Sequence, residues 1–407
     1  MVSMALFLAI TSTCGGTALA NAFTQNLEAN TRYDVTLTGF TMGVNKAEEP
    51  VSNGSNRYYW YAQAKADNFD VLTAVKKGIP EWDAYVKSAA QLTIYDSGLT
   101  LKDLVDQAQL STDRNLSAEL IDQGTLSMVS ISDFNKQRAL LGLEPVSLND
   151  GQFFFWADFE QLKHLYKDFL DKRTVLEVGG VSLSAARTDL ETMPRQTSSL
   201  ANNTGTIVVP DGLITDKTPM SGFILNIMYN GERVDVEPAF LGALKKAFPG
   251  PTSLEDDARV WPFVTEITAL GMSAQATGLT AMIAYLAVYI GFILLITCAA
   301  ILALQQLSEA ADNVSRYHLL EEIGVDRKMT GKALLVQIAI YFLFPLVVAF
   351  CHSLEALNVV VDVASMYGHL EIVMPLLATI GVFLVLYVGY FLFTFFASRT
   401  MLEKKAA

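Results

Sequence analysis

Four long stretches of apolar residues interrupt an otherwise polar chain. Each contains no Asp, Glu, Lys or Arg over at least 19 residues. A helix needs about 20 apolar residues to cross the hydrocarbon core of a bilayer. The pattern therefore predicts four transmembrane helices, at residues 1–23, 275–304, 333–352 and 372–398.

The stretch between the second and third predicted helices, residues 305–332, has a different pattern. Apolar residues recur there at helical spacing, and charged residues fill many of the other positions. The apolar positions are Ala310, Val314, Tyr317, Leu320 and Ile323. Gly324 is a typical helix end and Asp326 a typical helix start. The sequence thus predicts an amphipathic helix and a turn between two membrane helices.

Residues 24–272 form the polar part of the chain, where strand-like and helix-like segments alternate. Strands are predicted at 33–37, 92–95, 126–131, 153–156, 205–209 and 222–229. Helices are predicted at 69–77, 82–90, 134–141, 161–171 and 238–248. A further helix begins at Thr100, with Asp103 in the capping-box position, and Ser132 and Asp133 are the expected cap of helix 134–141. The mixture predicts an α+β domain inserted between the first and second membrane helices.

Two clusters of four aromatic residues lie in this domain, at 58–61 and 153–156. They are candidates for contact with a ligand or the membrane surface, or for the core. Because side chains alternate between the two faces of a strand, at least half of each cluster faces the core. Core packing is therefore the expected role.

An acidic surplus is concentrated in the same region. Residues 22–270 hold 22 of the 29 Lys and Arg and 33 of the 42 Asp and Glu, and so carry most of the net charge of −13. Such a domain is poorly suited to binding nucleic acid or anionic lipid headgroups. It suits a cationic ligand, although a solvated acidic surface is the simpler interpretation.

Motifs for catalysis, cofactors or metals are absent from the sequence. The chain has no P-loop, no G-x-S-x-G, no H-E-x-x-H and no Cys-x-x-Cys, and His164 and His369 are isolated. Cys14, Cys298 and Cys351 fall in predicted membrane helices, so no disulfide framework supports the polar domain. We expect no catalytic residue, no cofactor and no metal. The absence of charge within the membrane helices disfavours a secondary transporter.

Basic residues decide the predicted orientation. Four lie within 305–332 and three in the tail 399–407, whereas the loop 353–371 carries only acidic charges. The positive-inside rule places 305–332 and both termini in the cytoplasm, and the loop and the α+β domain outside. A cleaved signal peptide is an alternative for residues 1–27, because Ala18-Leu19-Ala20 resembles a cleavage site. However, no basic residue precedes Arg32.

A pattern of residues across 306–353 carries a family resemblance. Its members are Gln306, Leu307, Arg316, Tyr317, Leu320, Ile323, Gly324, Val325, Ala333, Leu334, Gln337, Phe344, Pro345 and Leu346. The pattern resembles the FtsX-like permeases, the membrane subunits of a class of ABC transporters with MacB-type topology. The stretch from Ala349 to Ser353 resembles the branch that confers resistance to bacitracin and other antimicrobial peptides.

The resemblance implies one helix, a large extracytoplasmic domain and three further helices in a bacterial plasma membrane. It implies a separate ABC ATPase as a partner, and a homodimer or a pairing with a homologous permease half. Relatives usually carry a basic stretch before the first helix. Its absence leaves open a truncated chain or the second half of a longer permease.

The segment 305–332 is the predicted contact with the ATPase. Its candidate contact residues are Val314, Tyr317, Leu320, Ile323 and Gly324. The alternative is a helix that rests on membrane lipid. Such helices favour Lys and Arg, whereas this segment has five acidic and four basic residues. We therefore expect a helix-in-groove contact with a protein.

Three functions fit these features. The first is an ABC permease that exports or releases a peptide antibiotic or a lipid-linked compound. The second is a regulatory FtsX-like subunit that activates a cell-wall hydrolase or a sensor kinase. The third is a membrane-anchored binding or structural protein without an ATPase. A neighbouring ATPase gene would separate the first two from the third.

Overall fold

The computed structural model describes residues 2–40, 68–110, 118–172, 175–249, 262–263, 265–365 and 373–404. The chain divides into two compact units. The helical unit comprises the described residues of Met1–Thr24, Thr277–Ser365 and Leu370–Ala407, and the α+β domain those of Gln25–Ala276. The aromatic cluster 58–61 lies outside the described residues.

Helices and strands alternate along the described part of the α+β domain. The α-helices among the described residues are α1 (Val2–Asn30), α2 (Val71–Gly78), α3 (Trp82–Tyr85), α4 (Leu101–Ala108), α5 (Ala118–Gln123), α6 (Ile131–Leu140), α7 (Glu160–Lys172), α8 (Arg233–Ala247), α9 (Ala269–Glu322), α10 (Arg327–Ser365) and α11 (Val373–Lys404). The strands are β1 (Val35–Phe40), β2 (Val86–Thr100), β3 (Thr125–Ser130), β4 (Gln152–Trp156), β5 (Val175–Val178), β6 (Val181–Ala185), β7 (Thr206–Val209), β8 (Met220–Tyr229) and β9 (Thr265–Thr268).

These nine described strands form one mixed sheet in the order β5-β6-β4-β7-β3-β2-β8-β1-β9. The pairs β3–β7 and β4–β6 are parallel. The remaining neighbours are antiparallel. The sheet and its helices confirm an α+β domain, which in chain order lies between the first and second membrane helices.

Both faces of the sheet are covered, as alternate residues of β8 illustrate. Phe223 and Leu225 pack in one cluster with Phe240 of α8. Ile224 belongs to a different cluster with Phe134 of α6. A third cluster joins α4 and α7 to strands β3, β4 and β7. The domain therefore has helices on both sides of its sheet.

All four aromatic residues of 153–156 are buried, which confirms their predicted core role. Phe155 packs against Tyr166 of α7, with ring centroids 4.8 Å apart. Phe154 and Trp156 point to the other face, and each lies 5.1 Å from the ring of Phe134. The Trp156 indole N–H donates to the Met193 carbonyl at 2.7 Å, so its one polar atom is also satisfied.

Several predicted boundaries are wrong. The helix predicted at 82–90 ends at Tyr85, and β2 begins at Val86 because its backbone pairs with β8 from there onward. Ser130 caps α6, in place of Ser132, by accepting the Asp133 N–H at 3.1 Å. The helix predicted to begin at Pro238 begins at Arg233. The capping box of Thr100 and Asp103 is confirmed.

Strand β1 shows why alternation alone misleads here. Val35 and Leu37 are buried as predicted, but Thr36 and Thr38 are buried as well. The Thr36 hydroxyl donates to the Asn226 side chain at 2.7 Å and accepts the Thr197 N–H at 2.9 Å. An irregular segment around Thr197 thus covers the polar face of β1 through hydrogen bonds.

The four predicted membrane helices are present as long apolar helices. The candidate spans are Val2–Asn30, Ala269–Tyr317, Arg327–Asp362 and Leu376–Met401. Their length and composition make this a membrane protein. Residues 353–365, predicted as part of an extracytoplasmic loop, continue α10 as helix.

Small residues allow α1 to pack closely on α9 within the helical unit. A Cβ on Gly16 would collide with the Cβ of Ala287, and one on Gly291 would collide with the Thr13 hydroxyl. Neither position has room for a side chain. Between α10 and α11, the Tyr387 hydroxyl donates to the Phe342 carbonyl at 2.9 Å.

Candidate partner-binding surface

The turn between α9 and α10 is built by a glycine cap. Gly324 has a φ of +98°, which side-chain-bearing residues rarely adopt. This conformation lets the Val325 N–H reach the Leu320 carbonyl at 3.0 Å and close the last turn of α9. Asp326 then accepts the Lys328 N–H at 3.2 Å and starts α10. The predicted stop and start are both confirmed.

A polar cluster ties the end of α9 to α10. The Tyr317 hydroxyl donates to the Gln337 side chain at 3.2 Å. Gln337 in turn donates to Glu309 at 2.9 Å, and the buried Gln306 lies 3.4 Å from the second Glu309 oxygen. Tyr317 is therefore engaged with α10 and only half-exposed. Its side chain supports the turn from inside.

The outward side of the turn carries four exposed apolar residues. Leu319, Leu320, Ile323 and Met329 have exposed fractions of 61, 40, 75 and 64 %. We call these four residues the turn surface. The first three lie between the candidate spans that end at Tyr317 and begin at Arg327. Exposed apolar residues that adjoin one another mark a contact site more often than isolated ones do.

The predicted contact residues fall into an exposed group at the turn and a half-buried group further along α9. Leu320 and Ile323 are exposed on the turn surface, and Gly324 forms the turn itself. Val314 and Tyr317 are half-buried and lie further back along α9. The sequence pattern does not single out the exposed Leu319 and Met329, because Leu319 breaks the helical spacing and Met329 belongs to the next helix. The pair Leu319-Leu320 was the available signal, since two adjacent leucines widen an apolar face.

Charges of both signs surround the turn surface. Glu322 precedes the turn at Gly324, Asp326, Arg327 and Lys328 follow it, and all four are exposed. Neither sign dominates, so the rim favours a protein partner of mixed charge over an anionic lipid surface. In the described ranges, no group of His, Cys, Asp or Glu has the arrangement of a metal site.

The α+β domain contains an open cleft that is a second candidate binding site. This cleft of about 650 Å³ follows β2 and is bordered by Asp70, Gln91, Asp133 and Lys136. These groups are mostly engaged internally. Gln91 accepts the Val71 N–H at 2.8 Å, and Asp133 binds Lys136 at 2.8 Å. The cleft therefore offers few free polar groups to a ligand.

Comparison with known proteins gives one partial similarity and no family match. No protein-family model matches the chain. A stretch of 108 residues is 27% identical to the ABC transporter permease protein YxdM of Bacillus subtilis (strain 168). It covers 26% of this chain and 17% of that protein. The similarity supports a relationship to ABC transporter permeases in general.

Proposed function

We propose that this chain is the permease subunit of an FtsX-like ABC transporter. The observation that carries the proposal is the turn surface, an exposed apolar patch at the turn between α9 and α10, three of whose four residues lie outside both candidate spans. The partial similarity to an ABC transporter permease supports the same role. A separate ATPase binds the turn surface, with Ile323 and Leu320 as its central contacts.

In this proposal, ATP hydrolysis in the partner moves α9 and α10 together. The polar cluster of Glu309, Tyr317 and Gln337 joins the two helices, so a force on the turn reaches both. Segment 305–332 and both termini face the cytoplasm, and the α+β domain faces outward. The acidic domain binds a peptide antibiotic or a lipid-linked compound and takes part in its export or release. Two copies, or one copy and a homologous half, assemble with two ATPase subunits.

Affinity purification of the full chain from native membranes tests this proposal. The expected result is co-purification of an ABC ATPase that hydrolyses ATP and is inhibited by vanadate. Recovery of the chain alone, in detergent and again in nanodiscs, would overturn the proposal. A cell-wall hydrolase or sensor kinase in the same preparation, without transport of any peptide, would replace transport with the regulatory role.

A further inference from the structure

The chain enters the α+β domain at Thr31–Asp34 and leaves it at Thr268–Leu270. One helix of the domain, α8, contacts both places. On the entering side, the Arg233 guanidinium binds the Asp34 carboxylate at 2.6 Å and donates to the Thr31 carbonyl at 2.9 Å. Asp34 also accepts the Tyr229 N–H, and its own carbonyl accepts the Ala269 N–H at 2.9 Å. Asp34 is thus bonded to β8, α8 and α9.

On the leaving side, Glu237 takes the place of Arg233. Its carboxylate accepts hydrogen bonds from the Thr268 side chain and the Leu270 N–H. Thr268 also accepts the Gly271 N–H at 3.0 Å, so it caps the first turn of α9. Glu237 therefore binds the capping residue and a free amide at the N-terminus of α9, where a negative charge is favoured.

The spacing of the two residues explains how one helix reaches both places. Arg233 and Glu237 are four residues apart and project from the same face of α8. The segment around Thr197 also bonds to the entering side, where the Thr197 hydroxyl donates to the Tyr33 carbonyl at 2.7 Å. In the described chain, α8 bonds through side chains to both.

The position of Glu237 lowers the stability of the fold. It is 5 % exposed, and among the described residues its second carboxylate oxygen has no hydrogen-bond partner. Burial raises the pKa of this carboxyl, and Asp34 acts in the same direction, while Thr268, Arg233 and Leu270 act against it. A buried polar atom without a partner destabilises a fold. What the acidic side chain gains in return for this cost is its link to the N-terminus of α9.

We propose that Arg233 and Glu237 form a clamp that makes the entering and leaving segments move as one body with α8. Movement of α9 then reaches the domain through α8 as well as through the backbone. The clamp itself is a property of the fold. Its role in transmitting ATP-driven motion rests on the proposed function.

Hydrogen exchange of the full chain in nanodiscs tests the clamp directly. The variants are Glu237→Leu, which removes the link, and Glu237→Gln, which keeps one acceptor oxygen. Arg233→Met removes the other arm, and Asp235→Asn is a control that alters an exposed acid on the same helix. Glu237→Leu should speed exchange of the Leu270 amide by about tenfold, the effect of losing a hydrogen bond to a charged group. It should also speed exchange across 31–34.

The other variants distinguish a clamp, which couples the two segments, from packing that affects the mutated side alone. Arg233→Met should loosen both segments, Glu237→Gln should restore slow exchange, and Asp235→Asn should change nothing. Tryptophan fluorescence reports whether each variant is folded, since all four tryptophans lie within 25–276. Unchanged exchange in Glu237→Leu and Arg233→Met, or loosening confined to the mutated side, contradicts the clamp.

A second arm addresses transmission. In the complex with its ATPase, ATP and vanadate should alter exchange in β8 and α8 of the wild type. Glu237→Leu should abolish that change while the ATPase rate is unaffected; a change that persists contradicts transmission through α8. If no ATPase co-purifies, the proposed function fails, and the clamp is still decided by the first arm.

Discussion

Ile323→Asp perturbs the turn surface at its most exposed member. Three quarters of the isoleucine side chain is exposed, so the substitution should leave the fold nearly unchanged. Full burial of an isoleucine stabilises a contact by about 1.5–3 kcal/mol, so the exposed part contributes roughly 1–2 kcal/mol when a partner covers it. Each 1.4 kcal/mol is about a tenfold change in affinity. The buried aspartate adds a desolvation cost, so we expect a loss of about 10- to 100-fold.

The assay is the affinity of the chain in nanodiscs for its purified ATPase, measured by biolayer interferometry. Val181→Asp is the matched control, because Val181 is an exposed apolar residue of the α+β domain. Tyr317→Phe is a second control that removes only the hydroxyl bound to Gln337. Both controls should bind like the wild type. Wild-type affinity in Ile323→Asp, or an equal loss in Val181→Asp, refutes the assignment of this surface.

Three further predictions concern pH, the turn and the topology. Burial raises the pKa of Asp158 to about 6, so the stability associated with its neutral form is present at low pH and lost as the pH rises through 6. Relative to Asp158→Asn, the wild type should lose about 2–3 kcal/mol of unfolding free energy between pH 4 and pH 8, measured by urea unfolding and tryptophan fluorescence; a pH-independent difference contradicts this. Gly324→Ala should cost about 1–2 kcal/mol at its positive φ and speed amide exchange at the turn, whereas Gly331→Ala, in open helical surroundings, should not. In a background without native cysteines, a cysteine at Ser199 should react with an impermeant thiol reagent in intact cells and one at Met329 should not; the reverse result overturns the orientation.

The apolar runs and two of the helix ends can be predicted from the sequence because they depend on neighbours in the chain. The capping box at Thr100 needs only Asp103, and the turn after Glu322 needs only Gly324. Strand β2 was not readable in the same way. Its first residues have a helix-like pattern, and pairing with β8, more than 120 residues later, overrides that local preference.

Buried polar contacts between distant parts of the chain also cannot be predicted from the local sequence. Nothing in the local sequence marks Thr36 as buried, since its partners Asn226 and Thr197 are distant in the chain. The same holds for Tyr317, which lies on the predicted apolar stripe but bonds to Gln337 of the next helix. Leu320 and Ile323 are exposed, as a contact would require, because α9 ends there and exposure depends on the helix alone; their contact with a partner stays a prediction.

Site-specific photo-crosslinking tests the central claim most directly. A photoreactive amino acid replaces Ile323 in the full chain, and ultraviolet light is applied in native membranes. The expected result is a crosslink to an ABC ATPase, while the same amino acid at Val181 gives none. Crosslinks from position 323 only to lipid, or to proteins without a nucleotide-binding domain, would contradict the claim that this turn is where the ATPase binds.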